Sequence, residues 1–317
     1  IWKGAQRVKK YIAKRLLTAV ATLLAVMFVL FLLMELLPGS PFNNPELTAE
    51  QRANIEAKYG LDQPFLTRYV KYISNILHWD FGVSYNIQQN LPISSLLAKR
   101  FPITIRIGLM AIVLGVILGL VLGIVAGFNH NSIWDTITSA IAILGVSLPA
   151  FVFALLLAYF VGFQWKLLPF LYNAKTPLAS AILPALTLAV SPMASVARYT
   201  RSEIIDVLNQ NYVTLAKVKG VGKLALVIKH VLRNVLTGVI TVIGPSVVNV
   251  LTGSLVVEKA FSVPGIGGLL ITAIQENDYN VTFALSFIYC ALYILVMLVV
   301  DILYGLIDPR IRVAKGE

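Results

Sequence analysis

Asn211–Asn234 reads NYVTLAKVKGVGKLALVIKHVLRN, a polar, basic stretch set between two apolar runs, Leu178–Ala197 and Val235–Val257. Each flank is long enough to cross a bilayer, which takes about 20 apolar residues. The stretch itself, with Lys217, Lys219, Lys223, Lys229 and Arg233, is too charged to enter one. Its pattern is two helical runs broken at Gly220. Tyr212, Leu215, Ala216 and Lys219 fall on neighbouring helical positions, and Gly220 admits the positive φ that ends a helix and turns the chain. A second run, about Lys223–Arg233, leads into the next apolar segment. An exposed helix between two spans fits either a docking element, with Ala216 allowing close approach, or a plain amphipathic surface helix.

The rest of the chain agrees with a membrane setting. Of 317 residues, 58% are hydrophobic and only 13% charged, against about 25% charged in soluble domains. Six apolar segments qualify as spans: Leu16–Met34, Ile107–Phe128, Ile137–Phe163, Leu178–Ala197, Val235–Val257 and Val281–Val300. Strict alternation is absent, which argues against a β-barrel. The first run is too long for a signal-peptide core and lacks a small-residue cleavage site, so a retained helix is expected. The fold class is therefore an all-α polytopic membrane protein with six transmembrane helices.

The net charge is +11, yet the cations sit beside apolar segments, as topology signals and lipid contacts do, and nucleic acid is not an expected partner. Lys3, Arg7, Lys9, Lys10, Lys14 and Arg15 precede the first span. Arg198 and Arg201 join the basic loop, and Arg310, Arg312 and Lys315 close the chain. Six spans put all three regions on one side, cytoplasmic by the positive-inside rule. The loop around Asn129–Asp135 belongs on that side too, although it holds no Lys or Arg.

Three regions follow: 1–37, a cytoplasmic tail and first span; 38–100, an extracytoplasmic insertion; and 101–317, a core of five spans with the cytoplasmic loop at about 198–234. In the insertion, Thr48 and Gln51 fit a capping box for a helix ending near Gly60. Phe65, Tyr69, Tyr72, Ile73 and Ile76 then share one helical face, suited to packing on the spans or to the headgroup layer. Gly115, Gly119, Gly123 and Gly127 repeat every four residues along the second span, a stripe for close helix packing or for lining a pathway. Pro149, Pro184, Pro192 and Pro245 favour kinks in later spans.

Catalytic chemistry is not legible. No phosphate loop is present, because Gly220-Val221-Gly222-Lys223 lacks the spacing and the hydroxyl. His78, His130 and His230 lack ligand-like pairing, so no metal is expected. Cys290 stands alone in an apolar run and cannot form an intrachain disulfide. Glu35, Arg106, Glu258 and Asp301 lie near span ends, where snorkelling is expected to hydrate them. No carboxylate stands at mid-membrane to couple an ion gradient. Ser246, Asn249 and Gly253 put small or polar groups near one face of the fifth span, consistent with a wetted pathway or with interhelical hydrogen bonds.

The loop's small residue at Ala216, Gly220 four positions on and His230 ten after that resemble the "EAA" loop of ABC importer permeases. TRSEIIDVLNQNYVTLAKVKG narrows the likeness to the dipeptide/oligopeptide branch, the OppB/DppB type. YGLDQP (59–64), FGVS (81–84), SLPAFV (147–152), ILPALTLA (182–189), VEKAFSVPGIGGLL (257–270) and DPRIR (308–312) match in order along the chain. Ser40, Leu215 and Val218 depart from the pattern, where Asp, Thr and Ala are common.

The resemblance implies a type I ABC importer permease fold in a bacterial plasma membrane and a non-catalytic subunit without a cofactor of its own. ATP and Mg would be bound by partners: two cytoplasmic ATPase subunits, beside a second homologous permease and an extracellular peptide-binding protein that delivers peptide. Asn211, Tyr212, Val213, Leu215, Ala216, Lys219, Gly220, Gly222 and His230 would then form the loop that couples to the ATPases. The alternative within the same architecture is import of nickel complexes or glutathione, which related permeases carry. An ion-coupled secondary transporter is the alternative of another class, and a structural membrane scaffold a more distant one.

Overall fold

A computed structural model of the chain describes residues 2–36, 57, 60, 62–220, 222 and 233–307. Its helices are α1 Trp2–Leu36, α2 Phe65–Leu77, α3 Ile93–Phe128, α4 Ile133–Ser147, α5 Ala150–Leu157 with a π-helical continuation Ala158–Gln164, α6 Ala179–Leu208, α7 Asn211–Val218, α8 Arg233–Ala260, α9 Ile266–Gln275 and α10 Tyr279–Ile307. Among the described residues the only extended pairing is an isolated bridge, Val83 with Pro92. The Thr48 capping box and the run from Lys223 lie outside the described residues.

Among the described residues, five helices are long and apolar enough to cross a membrane, and a sixth span results if α4 and α5 count together. The sequence reads this third span as one helix with a kink favoured at Pro149, whereas α4 and α5 meet at 107°. Pro149 is the cause. It forces Leu148 out of the helical region, to φ −83° and ψ 128°, and starts the next helix without an N–H to satisfy. Pro184, Pro192 and Pro245 are instead carried inside α6 and α8.

Contacts divide the chain into two compact units, Ile1–Pro102 with Gly268–Ile294, and Ile103–Gly267 with Leu295–Glu317. In the first, α2 packs across α1 and α10 through rings. Phe28 meets Tyr69 at 5.4 Å, and Phe31 meets Phe65 at 5.3 Å and stacks on Phe283 at 4.9 Å. Tyr69 donates its hydroxyl proton to the Leu24 carbonyl at 2.9 Å, and Arg68 pairs with Glu35 at 2.5 Å. The packing expected of this face is therefore present. Leu66, Val70 and Leu77 are exposed on α2, so the helix carries a second apolar face as well.

The FGVS motif belongs to the same unit, and its role there is a tether. Asp278 is buried at the start of α10, where one carboxylate oxygen accepts from Val281 N at 3.3 Å. The other accepts from Ser84 Oγ at 2.5 Å, Asn86 N at 3.0 Å and Ile87 N at 3.2 Å. Asn280 donates to the Val83 carbonyl at 2.8 Å. A buried carboxylate with that many donors is compensated for its lost hydration.

In the second unit the glycine stripe of α3 lies against α6. A Cβ at Gly115, Gly119 or Gly123 would come within 2.8, 2.6 and 2.7 Å of the carbonyl oxygens of Ala189, Met193 and Ala197. At Gly127 the facing carbonyl is that of Arg201, at 3.3 Å. Four residues along α3 match four along α6, so the two helices run parallel at backbone contact, and α6 continues past the end of α3 to Leu208. This is the packing reading of the stripe.

Glu258 departs from its expectation. Snorkelling would expose it, yet it is only 1% exposed. Thr104 Oγ1 donates to its carboxylate at 2.6 Å and in turn accepts from Ile266 N at 2.9 Å. Gly265 leaves room for the same carboxylate, which a Cβ there would strike. The Val257–Leu270 motif thus folds back over its own acid instead of presenting it to water.

Candidate functional site

The candidate site is α7 with the turn that follows it. The helix α6 stops at Leu208, and Gln210 starts the next one by accepting from Val213 N at 3.0 Å and Thr214 N at 3.2 Å. The last turn closes with Lys219 N on the Leu215 carbonyl at 3.0 Å, and Gly220 follows with φ +76°. This is the helix-ending left-handed residue expected from the sequence.

A short helix has little stability of its own, so its inward residue decides whether it stays formed. Val213 fills that role. It is 0% exposed and packs with Ile204 and Val207 of α6 and Val235 and Val239 of α8. Leu215 lies on the opposite side of the helix and is 54% exposed, Val218 is 79% exposed and Tyr212 is 42% exposed. Asn211 and Lys219 are exposed beside them. The result is an apolar face with a polar rim, presented outward from a helix whose other side is built into the core. Gly222 is exposed, whereas the side chain of Ala216 and all of His230 lie outside the described residues.

Among the described residues, a Cβ at Gly220 would meet nothing within 4 Å. The positive φ by itself calls for glycine there. Gly220→Ala and Gly220→Leu are therefore expected to destabilise the isolated chain by a similar amount, about 1–2 kcal/mol for a left-handed L-residue. Thermal unfolding in detergent checks this, and a much larger loss for leucine would mean that something packs on this position.

The fifth-span residues do not share one environment. Ser246 is buried, and its hydroxyl donates to the Val242 carbonyl of its own helix at 2.8 Å. Gly253 is half-buried, with the Leu188 side chain 3.3 Å from its Cβ position. Asn249 is exposed, in line with Pro245, Thr252 and Val256 on the outer face of α8. Of the three, Asn249 alone offers a polar group to whatever lies outside the chain.

The structure adds residues that the sequence did not single out. Arg201 of α6 grips Asp135 at the start of α4 with two bonds, Nε to Oδ1 at 2.6 Å and Nη2 to Oδ2 at 2.8 Å. Asn131, at φ 62°, gives its N–H to Oδ2 at 3.0 Å, Ser139 donates to Oδ1 at 3.3 Å, and His130 Nδ1 lies 3.3 Å from Oδ2. The cation-free loop thus receives its positive charge from α6. A lone acid beside a charge-poor loop was the available signal.

Comparison with known proteins agrees with this architecture. Residues 119–313 match the family described as binding-protein-dependent transport system inner membrane component, and residues 8–108 match its N-terminal counterpart. The chain belongs to this family. It is 36% identical over 303 residues to the dipeptide transport system permease protein DppB of Lactococcus lactis, covering 96% of this chain and 99% of that one. It is 39% identical over 307 residues to the DppB of Bacillus subtilis, and 39% over 305 residues to the oligopeptide transport system permease protein OppB of Haemophilus influenzae, with the same two coverages in each case.

Among solved structures, the MetNI methionine ABC transporter in an inward-facing form matches with a TM-score of 0.56 at 16% identity, over 68% of this chain and 97% of that one. An amino acid ABC transporter with histidines matches at 0.51 and 17% identity, over 68% and 94%. At such identities the likeness is one of fold. This inner-membrane component therefore has the ABC importer permease fold, and its setting is the bacterial plasma membrane.

Proposed function

We propose that this permease is a membrane subunit of an ATP-driven importer of dipeptides or oligopeptides, and that α7 is its docking helix for the ATPase. The cargo reading rests on the peptide-permease relatives, which align with nearly the whole chain. The docking reading rests on one observation: α7 anchors Val213 in the core and turns Leu215 and Val218 outward. A helix tied down on one side transmits a push on the other, and its outward face suits a groove on a partner. ATP is hydrolysed by two cytoplasmic ATPase subunits, a second homologous permease completes the pathway, and an extracellular binding protein delivers the peptide. Both termini and the α7 loop are cytoplasmic.

The test is uptake of labelled short peptides into proteoliposomes that hold this chain with its second permease and ATPase subunits. Uptake is expected only with ATP and the binding protein together. Uptake by the chain alone under an ion gradient would overturn the proposal, and accumulation of nickel or glutathione in place of peptide would overturn the cargo.

A further inference from the structure

The ion pair between α6 and the start of α4 has no place in the docking argument, yet it joins the docking helix to the broken span. We infer that Arg201 and Asp135 are positioning residues: together they form a register pin that makes the α4–α5 span move with α7. The inference rests on the coupling reading of α7 and extends it to a second element.

The pin lies close to the lever in the chain. From Arg201 to the end of α6 at Leu208 is seven residues by numbering, about 10 Å of helix, and α7 begins at Asn211. Val213 shares its core with Ile204 and Val207 of α6, so a force on α7 reaches the helical turn that holds Arg201. Gly127, at the end of α3, packs on Ile204 at that same level. A displacement of α7 therefore has three helices to carry it, α6, α8 and α3.

What carries it to α4 is less obvious. Beyond the pin, α4 touches α6 through small residues. Ala142 packs with Ala194 and Ala197, and Gly145 faces Val190. On the α4 side these contacts are made by Ala142 and Gly145, with Val190 the larger side chain on α6, so close approach is allowed while little of α4 projects there to hold one register against sliding. The Arg201–Asp135 bond supplies what that surface lacks. A planar guanidinium meeting both carboxylate oxygens fixes distance and orientation together.

The carboxylate is itself held. Its side chain is 7% exposed. Besides the guanidinium it accepts from Asn131 N and Ser139 Oγ, and it stands in the first turn of α4, where the helix dipole favours an anion. An acid fixed by its own helix and loop, and gripped by an arginine from another helix, joins the two bodies more firmly than a surface ion pair would.

The experiment uses the assembled transporter in proteoliposomes. Asp135→Asn is expected to keep the ATPase subunits bound and basal hydrolysis unchanged, while peptide-stimulated hydrolysis and uptake fall about tenfold, a usual size for lost coupling between sites. Arg201→Lys keeps the charge but not the two-pronged grip; it is expected to give the same pattern, and it decides the matter if Asp135→Asn fails to accumulate. A readout specific to the pin is the distance between nitroxides at Asn209→Cys and Ile141→Cys, with Cys290→Ala. With the pair intact, the distribution stays narrow and the same with and without ATP. In the pin variants it broadens or shifts when ATP binds. Wild-type stimulation together with an unchanged distribution in either variant overturns the pin. Failure of the coupling reading shows separately, as an Asn209 probe whose mobility does not respond to the ATPase subunits when Asp135 and Arg201 are both native.

Discussion

Leu215→Asp is expected to strip the ATPase subunits from the purified transporter while leaving the permease folded. In the free chain Leu215 is 54% exposed, and surface substitutions of that kind usually stay within about 0.5 kcal/mol. Once a partner closes over α7 the balance changes. The apolar contact is lost and an unpaired carboxylate is buried in its place, which at an interface anchor costs about 2 kcal/mol or more, roughly 30-fold in affinity. Val213→Asp, two positions away, inverts the result. Val213 is fully buried among Ile204, Val207, Val235 and Val239, so the charge falls in the permease's own core and the chain itself fails to accumulate. Co-purification of the ATPase, read beside thermal unfolding of the permease, separates the two. Full retention of the ATPase by Leu215→Asp would remove α7 from the interface.

That contrast also marks how far the sequence could be read. The helical wheel places Tyr212 and Leu215 on one side of the loop helix, and Gly220 ends it as its position requires, because both features are local. The glycine stripe was legible for the same reason, since a period of four fixes which side of α3 is smooth. What it faces was not legible, because a stripe names no partner. The third span reads as one helix kinked at Pro149, since apolar length and a proline alone do not distinguish a kink from a turn of 107°.

Pairs that join distant segments escaped altogether. Arg201 reads as one more topology charge until Asp135 is found beneath it. FGVS is a bare motif until its Ser84 meets Asp278, 194 residues on. Glu258 shows the opposite failure. Its place at a span end suggests hydration, but Thr104, 154 residues away in the chain, donates to it, and the turn at Gly265 of its own motif closes over it. The pathway residues fail for a related reason, because helical spacing puts Ser246, Asn249 and Gly253 near one face but does not say which of them a neighbouring helix covers.

Gly123→Leu is expected to abolish accumulation of the permease, and Gly123→Ala to lower its thermal stability by about 1–3 kcal/mol, the usual range for overpacking. A Cβ at this position would lie 2.5 Å from Thr200 Cβ and 2.7 Å from the Ala197 carbonyl oxygen. Neither neighbour is the free end of a flexible side chain, so relief requires α3 and α6 to separate. Separation is costly here for a reason particular to membranes. Lipid is as apolar as the helix surfaces, so the pair is held by contact itself and not by exclusion of water. Opening a gap at Gly123 loosens the dispersion contacts at Gly119 and Gly127 as well, because one straight stripe makes all of them. Gly108→Ala is the control on the same helix. There the nearest atom is a Val250 methyl at 3.7 Å, an ordinary contact, and unfolding temperature and yield should match the parent. Equal losses at Gly108 and Gly123 would show that glycine matters along α3 for its flexibility. A loss confined to the stripe would show that it matters for the distance between two backbones, and that α6 reaches α7 with its position already set by α3.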